Sequence, residues 1–83
     1  MQTIQYSPNR SSRILDIEIQ PTQQPSGAWS ADCSVYEMVA GVRVCRGTGL
    51  TLRDVPATCE DDMLDAAASR IADDIEHQRG ITL

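Results

Sequence analysis

"TCEDDMLDAAASRIADDIEHQRG", Thr58–Gly80, is the stretch on which the fold turns. Leu64, Ala67, Ala68, Ile71 and Ile75 recur three and four residues apart, which gathers them on one face of an α-helix. Thr58 is a candidate N-cap, with Asp61 three residues later. Glu60, Asp61 and Asp62 suit a first turn, where the helix dipole favours negative charge. Arg79 suits a last turn, and Gly80 a C-terminal cap. The spacing predicts a helix over 58–79. Its apolar stripe needs a surface to lie on.

The upstream sequence offers a sheet. In "RILDIEIQ", Arg13–Gln20, Leu15, Ile17 and Ile19 alternate with Asp16, Glu18 and Gln20, the period of a strand with one wet face. "PTQQPSG", Pro21–Gly27, reads as a loop. In "AWSADCSVYEMV", Ala28–Val39, Trp29, Ala31, Cys33 and Val35 share one face, and Ser30, Asp32, Ser34 and Tyr36 the other. Ala40–Gly41 suits a two-residue turn, after which "VRVCR", Val42–Arg46, returns with Val42 and Val44 inward. That turn sets Val39 opposite Val42 and Val35 opposite Arg46, with Cys33 and Cys45 on opposite faces. "GTG", Gly47–Gly49, breaks or bulges the strand, and "LTLRDV", Leu50–Val55, continues it or forms a short fourth. Residues 1–12 read as an edge strand through Ile4 and Tyr6, or as a loose segment, with Ser7–Ser12 a polar loop.

An antiparallel sheet with one wet face must cover the other, and the helix is the cover available. The fold class is therefore α+β: an antiparallel sheet of three to four strands (13–55) with one C-terminal amphipathic helix (58–79) packed on one face, in a single domain over 1–83. Leu15, Ile17, Ile19, Trp29, Val35, Val42 and Val44 should meet Leu64, Ile71 and Ile75. The 83 residues allow one modest core, and with no Phe, one Trp and two Tyr it must be largely aliphatic. No apolar run approaches the roughly 20 residues that span a bilayer. "MQTIQYSPNR" lacks a basic segment followed by an apolar one, so no secretion signal is expected and the expected compartment is the cytoplasm. Cys33, Cys45 and Cys59 match no zinc spacing and read as reduced, buried or half-buried thiols.

Charge is the strongest functional signal. From Thr58 to Gly80 there are seven acids and two arginines, a balance of −5; the other residues hold five acids and five arginines and balance to zero. Asp62, Asp65, Ser69, Asp73 and Glu76 form a stripe opposite the apolar face at about 100° per residue. A solvated helix face accounts for part of this. Asp, however, is a poor helix former, and Asp73, Asp74 and Glu76 lie toward the end where the dipole disfavours them. A binding role is the other reading. An acidic chain argues against direct nucleic-acid binding and points to a basic partner.

Other side chains carry less. His77 reads as a solvated residue near the helix end. Ser69 has no base set beside it. "RGTG", Arg46–Gly49, lacks the spacing of a phosphate loop. Asp61, Asp62 and Asp65 lack the glycine and bidentate glutamate of a calcium loop. Glu60 and Asp61 oppose a reactive Cys59. Tyr36, beside Arg43 and Met38, is a candidate contact residue. No catalytic set, metal site or cofactor is expected.

With the sheet "RILDIEIQ… WSADCSVYEMVAGVRVCR" and the acidic helix "EDDMLDAAASRIADDIE", the chain resembles in type the small phage-encoded anti-CRISPR proteins. That family has no common motif. The resemblance implies a non-enzymatic inhibitor in the bacterial cytoplasm, docking on the basic nucleic-acid channel of a CRISPR effector subunit as a monomer or small homodimer. The partner-binding residues expected are Asp62, Asp65, Ser69, Asp73, Glu76 and Tyr36. The alternative is an antitoxin-like or regulatory α+β module that dimerises through its sheet.

Overall fold

The computed structural model describes residues 1–9 and 11–83. Strands β1 (Gln2–Tyr6), β2 (Leu15–Gln23), β3 (Trp29–Val39) and β4 (Val42–Val55) precede one helix, α1 (Glu60–Glu76). The sheet is antiparallel throughout, in the order β1-β2-β3-β4. α1 packs on one face, giving the α+β two-layer arrangement that the sequence predicts.

The alternation in β2 sends Leu15, Ile17 and Ile19 inward, where they are fully buried. Their partners Glu37, Val35 and Cys33 on β3 and Tyr6, Ile4 and Gln2 on β1 share that face. Met63, Ala67, Ile71 and Ile75 of α1 close the core. Each fully buried aliphatic side chain contributes about 1.5–3 kcal/mol. Met63, absent from the predicted stripe, lies one helical turn before Ala67 and belongs to it.

Several boundaries differ from the sequence reading. β2 runs through Pro21 to Gln23, so the expected loop shrinks to residues 24–28. Pro21 lies where β2 outruns β1, so its missing N–H leaves no bond unmade in the ladder. Of the two readings of residues 1–12, the edge strand holds for Gln2–Tyr6. Position 10 of the expected polar loop lies outside the described residues.

β4 is one continuous strand. Its 14 residues oppose 11 of β3 because three bulges each insert one residue. The first is at Arg46, so Val35 faces Gly47 and not Arg46 as expected. The second sets Thr48 and Gly49 against Ser34, and the third Arg53 and Asp54 against Ser30. Gly49 and Asp54, within the second and third bulges, take left-handed φ values of 70° and 55°. At the hairpin, Ala40 and Gly41 both have positive φ, the geometry of a two-residue type I′ turn.

The core is shorter than the hairpin. Val42 is 62% exposed, and Val44 only half-buried, because α1 ends before reaching them. The inward place beyond Val35 goes instead to Glu37, which is buried and pairs with the half-buried Arg13 and Arg46.

The helix is also shorter than 58–79. Its N-cap is Cys59, not Thr58, and no side chain caps it. Asp62 reaches back instead, accepting from the Thr58 N–H at 3.2 Å and from the Thr58 hydroxyl. At the C-terminus the stop is Gln78 and not Gly80. Gln78 has φ 50°, its N–H donates to Ile75 O, and the Arg79 N–H donates to Asp74 O, a Schellman closure. Arg79 therefore lies beyond the last turn. Gly80 then turns the tail over β4, where Ile81 is buried and the Thr82 N–H donates to Arg46 O at 2.8 Å.

Candidate functional site

α1 carries its aliphatic side down and its acidic stripe outward. Asp62, Asp65, Ser69, Asp73 and Glu76 are all exposed. Their surroundings divide them into two groups along the helix.

The C-terminal half is internally compensated. Asp73 pairs with Arg79, and the exposed His77 ring nitrogen Nδ1 lies 3.3 Å from Asp73 Oδ1. Asp74, only 6% exposed, accepts from Arg79 Nε at 3.1 Å and lies 3.5 Å from Arg70 Nε. These guanidinium groups offset the unfavourable dipole at that end. Glu76 Oε1 accepts from the Tyr6 hydroxyl at 2.6 Å and from the Asn9 N–H at 2.8 Å. Those bonds hold its carboxyl below the usual range, the Tyr6 bond most. The same bond raises the Tyr6 phenol to about 12. Glu76 thus ties the end of β1 to the end of α1.

Among the described residues, none compensates the charge of the N-terminal half. Thr58–Ser69 contains Glu60, Asp61, Asp62 and Asp65 and no cation, a charge of −4. The Thr58 hydroxyl, and then its N–H, lowers the pKa of Asp62, which stays ionised. Glu60, Asp61 and Asp65 have no hydrogen-bond or ion-pair partner among the described residues, and Ser69 stands exposed beside them. The expectation of one uniform carboxylate rod is corrected: the free charge occupies the first half of α1.

Tyr36 belongs to the other surface. It points to the uncovered sheet face, where the Arg43 guanidinium lies 3.7 Å from its ring centroid and also pairs with Glu18. The structure does not bring Tyr36 together with the helix acids. Cys45, its cross-strand partner, is exposed there. Cys59 is exposed at the N-cap; both depart from the expected buried or half-buried state. Cys33 is buried, and desolvation raises its thiol to about 11.

Sequence reasoning missed the Arg13–Glu37–Arg46 cluster. Arg13 grips Glu37 through Nε at 2.9 Å and Nη2 at 2.5 Å, and Arg46 adds Nε at 3.0 Å. The Arg13 bonds above all hold the Glu37 carboxyl near 2. Parity was the available signal, since Glu37 is in phase with Cys33 and Val35 on the inward face. For Asp74 the signal was Arg70 four residues before it. Among the described residues, no three His, Cys, Asp or Glu side chains are grouped to hold a metal. No described helix is long and apolar enough to cross a membrane. Comparison of the chain with known protein families, characterised proteins and solved structures finds no match.

Proposed function

We propose that this is a non-catalytic, acidic protein-binding inhibitor whose helix presents carboxylates to a basic surface of its partner. The observation that carries the reading is the charge of −4 over Thr58–Ser69, without an ion-pair partner among the described residues and fixed on a helix whose opposite side is locked into the core. Exposed carboxylates at helical spacing act on arginines and lysines as backbone phosphates do, which speeds association and makes it salt-sensitive. The resemblance to anti-CRISPR proteins supplies the partner class: the nucleic-acid channel of a CRISPR effector.

The test measures target-DNA binding by CRISPR effector complexes in the presence of the protein, at low and high salt. The wild type should inhibit, less so as salt rises. The variant Glu60→Gln/Asp61→Asn/Asp65→Asn should not inhibit, while remaining folded by circular dichroism. Equal inhibition by that variant removes carboxylate mimicry. No inhibition by the wild type removes the effector as partner.

A second reading, a module that dimerises through its sheet, is favoured by one observation. Ile14, Met38, Val39 and Val42 are all exposed, and they crowd the same end of the sheet around the β3–β4 turn. Sedimentation at rising concentration tests it; a constant monomer mass discards it.

A further inference from the structure

The two edges of the sheet are built differently. β4 is blunted by three bulges, by two residues with left-handed φ, and by the tail that bonds to Arg46 O. Those are the devices by which folded proteins keep foreign strands from pairing with an edge. β1 has none of them. It pairs with β2 in unbroken register over all five residues, and "QTIQY" contains no charge and no proline. Among the described residues, none hydrogen-bonds to its outer side.

The ladder fixes which groups face outward. A two-residue hairpin makes Val39 and Val42 a hydrogen-bonded pair. Stepping back along β3, its odd-numbered residues bond toward β4 and its even-numbered residues toward β2. The odd-numbered residues of β2 then bond toward β1, pairing Ile19, Ile17 and Leu15 with Gln2, Ile4 and Tyr6. Thr3 and Gln5 are left with N–H and C=O directed away from the sheet. The position of Pro21 agrees: it is odd-numbered, and its absent N–H would point off the β1 side, past the end of that strand.

The helix flank above this edge is acidic. Arg70 and Asp74 share a cavity of about 240 Å³ with Gly49–Leu52, so that flank of α1 overlies β4. Glu76 bonds Tyr6, so the opposite flank overlies β1. A rotation of about 100° per residue puts Asp61 and Asp65 on the Glu76 flank. A strand added to β1 would run beneath these carboxylates. A second copy of this chain there would bring two such flanks together, like charge against like.

We infer that β1 is a docking edge for an extended, basic segment of a partner protein, which adds as a fifth strand and sets its cationic side chains against Asp61, Asp65 and Glu76. This rests on the acidic-helix reading above and names the form the partner takes. Main-chain pairing supplies register, and charge supplies selection.

The probe is an end-blocked peptide of about eight residues, alternating Arg and Val, long enough to overlap β1. Its control is the same peptide N-methylated at every residue, which keeps the charge and loses the pairing. On adding the probe, amide exchange at Thr3 and Gln5 should slow, and the control should leave it unchanged. Thr3→Pro removes one outward N–H and should weaken the probe about tenfold, with circular dichroism unchanged. Asp61→Asn/Asp65→Asn should weaken probe and control alike. Loss with the Asp variant and none with Thr3→Pro overturns the edge and leaves the acidic helix standing. Tight binding unaffected by either variant overturns both. No slowing at Thr3 and Gln5, or no binding, overturns the edge even if Thr3→Pro fails to fold. A concentration-dependent mass that Thr3→Pro abolishes assigns the edge to a second copy instead.

Discussion

Replacing Gly47 with alanine tests how the C-terminal tail is held. Gly47 sits on β4 opposite Val35, beneath the tail. A Cβ there would lie 2.7 Å from Ile81 Cδ1 and 2.8 Å from Gly80 O. The first contact can relax by a rotamer change. The second cannot, because Gly80 O is backbone held between the Schellman closure and the Thr82–Arg46 bond. Overpacking of this kind costs about 1–3 kcal/mol. Against it, Gly→Ala stiffens the unfolded chain and contributes about 0.4–1 kcal/mol of stability. The net expectation is a loss of about 1–2 kcal/mol. In a domain of this size each kcal/mol shifts the midpoint by roughly 4–8 °C, so Tm should fall by about 5–15 °C. Thermal melts followed by circular dichroism read this directly. Gly47→Ala/Ile81→Ala should melt lower still, since the carbonyl clash remains and the buried Ile81 side chain is lost. A Gly47→Ala protein melting within a degree of the wild type would refute the account of the tail as a fixed part of the core.

Two further outcomes follow from titrating groups. The Glu37 carboxyl is lowered to about 2 by Arg13 and Arg46, so its contribution to stability is complete above the ordinary carboxylate pKa, about 4.3, and is lost as pH falls toward 2. Glu37→Gln should flatten the acid limb of the denaturation midpoint between about pH 4.5 and 2 relative to the wild type; an unchanged limb contradicts it. Cys45 and Cys59 should react with a thiol reagent near neutral pH, while Cys33, buried and raised to about 11, should react only on unfolding. Mass spectrometry counts the labels, and rapid triple labelling of folded protein would disprove the burial of Cys33.

The layers were legible because period alone sets them. Leu15, Ile17 and Ile19 alternate, Ala67, Ile71 and Ile75 recur at helical spacing, and no local detail can reassign either set. What escaped was set by single residues acting at a distance. β4 reads as interrupted at Gly47–Gly49 because glycine signals a break and a bulge alike, and only the partner strand decides which. Thr58 has the chemistry of a cap, yet the backbone of Cys59 takes the position while Asp62 uses the Thr58 donors. Val42 has the right parity for the core, but burial needs a helix above it, and α1 stops short. The outward stripe was correctly placed on the helix. Its division was hidden, since Arg79 and Tyr6 reach it from outside the helical pattern.

The three supernumerary residues of β4 bear on how such a chain can vary. Removing one residue from β2 or β3 would turn every later side chain of that strand to the wrong surface. Removing Gly49, or one of the pair Arg53 and Asp54, only straightens a bend; Leu50 and Leu52 keep their partners Cys33 and Ala31. Length changes by single residues can therefore accumulate in this strand of the sheet while the hydrophobic interior keeps its composition.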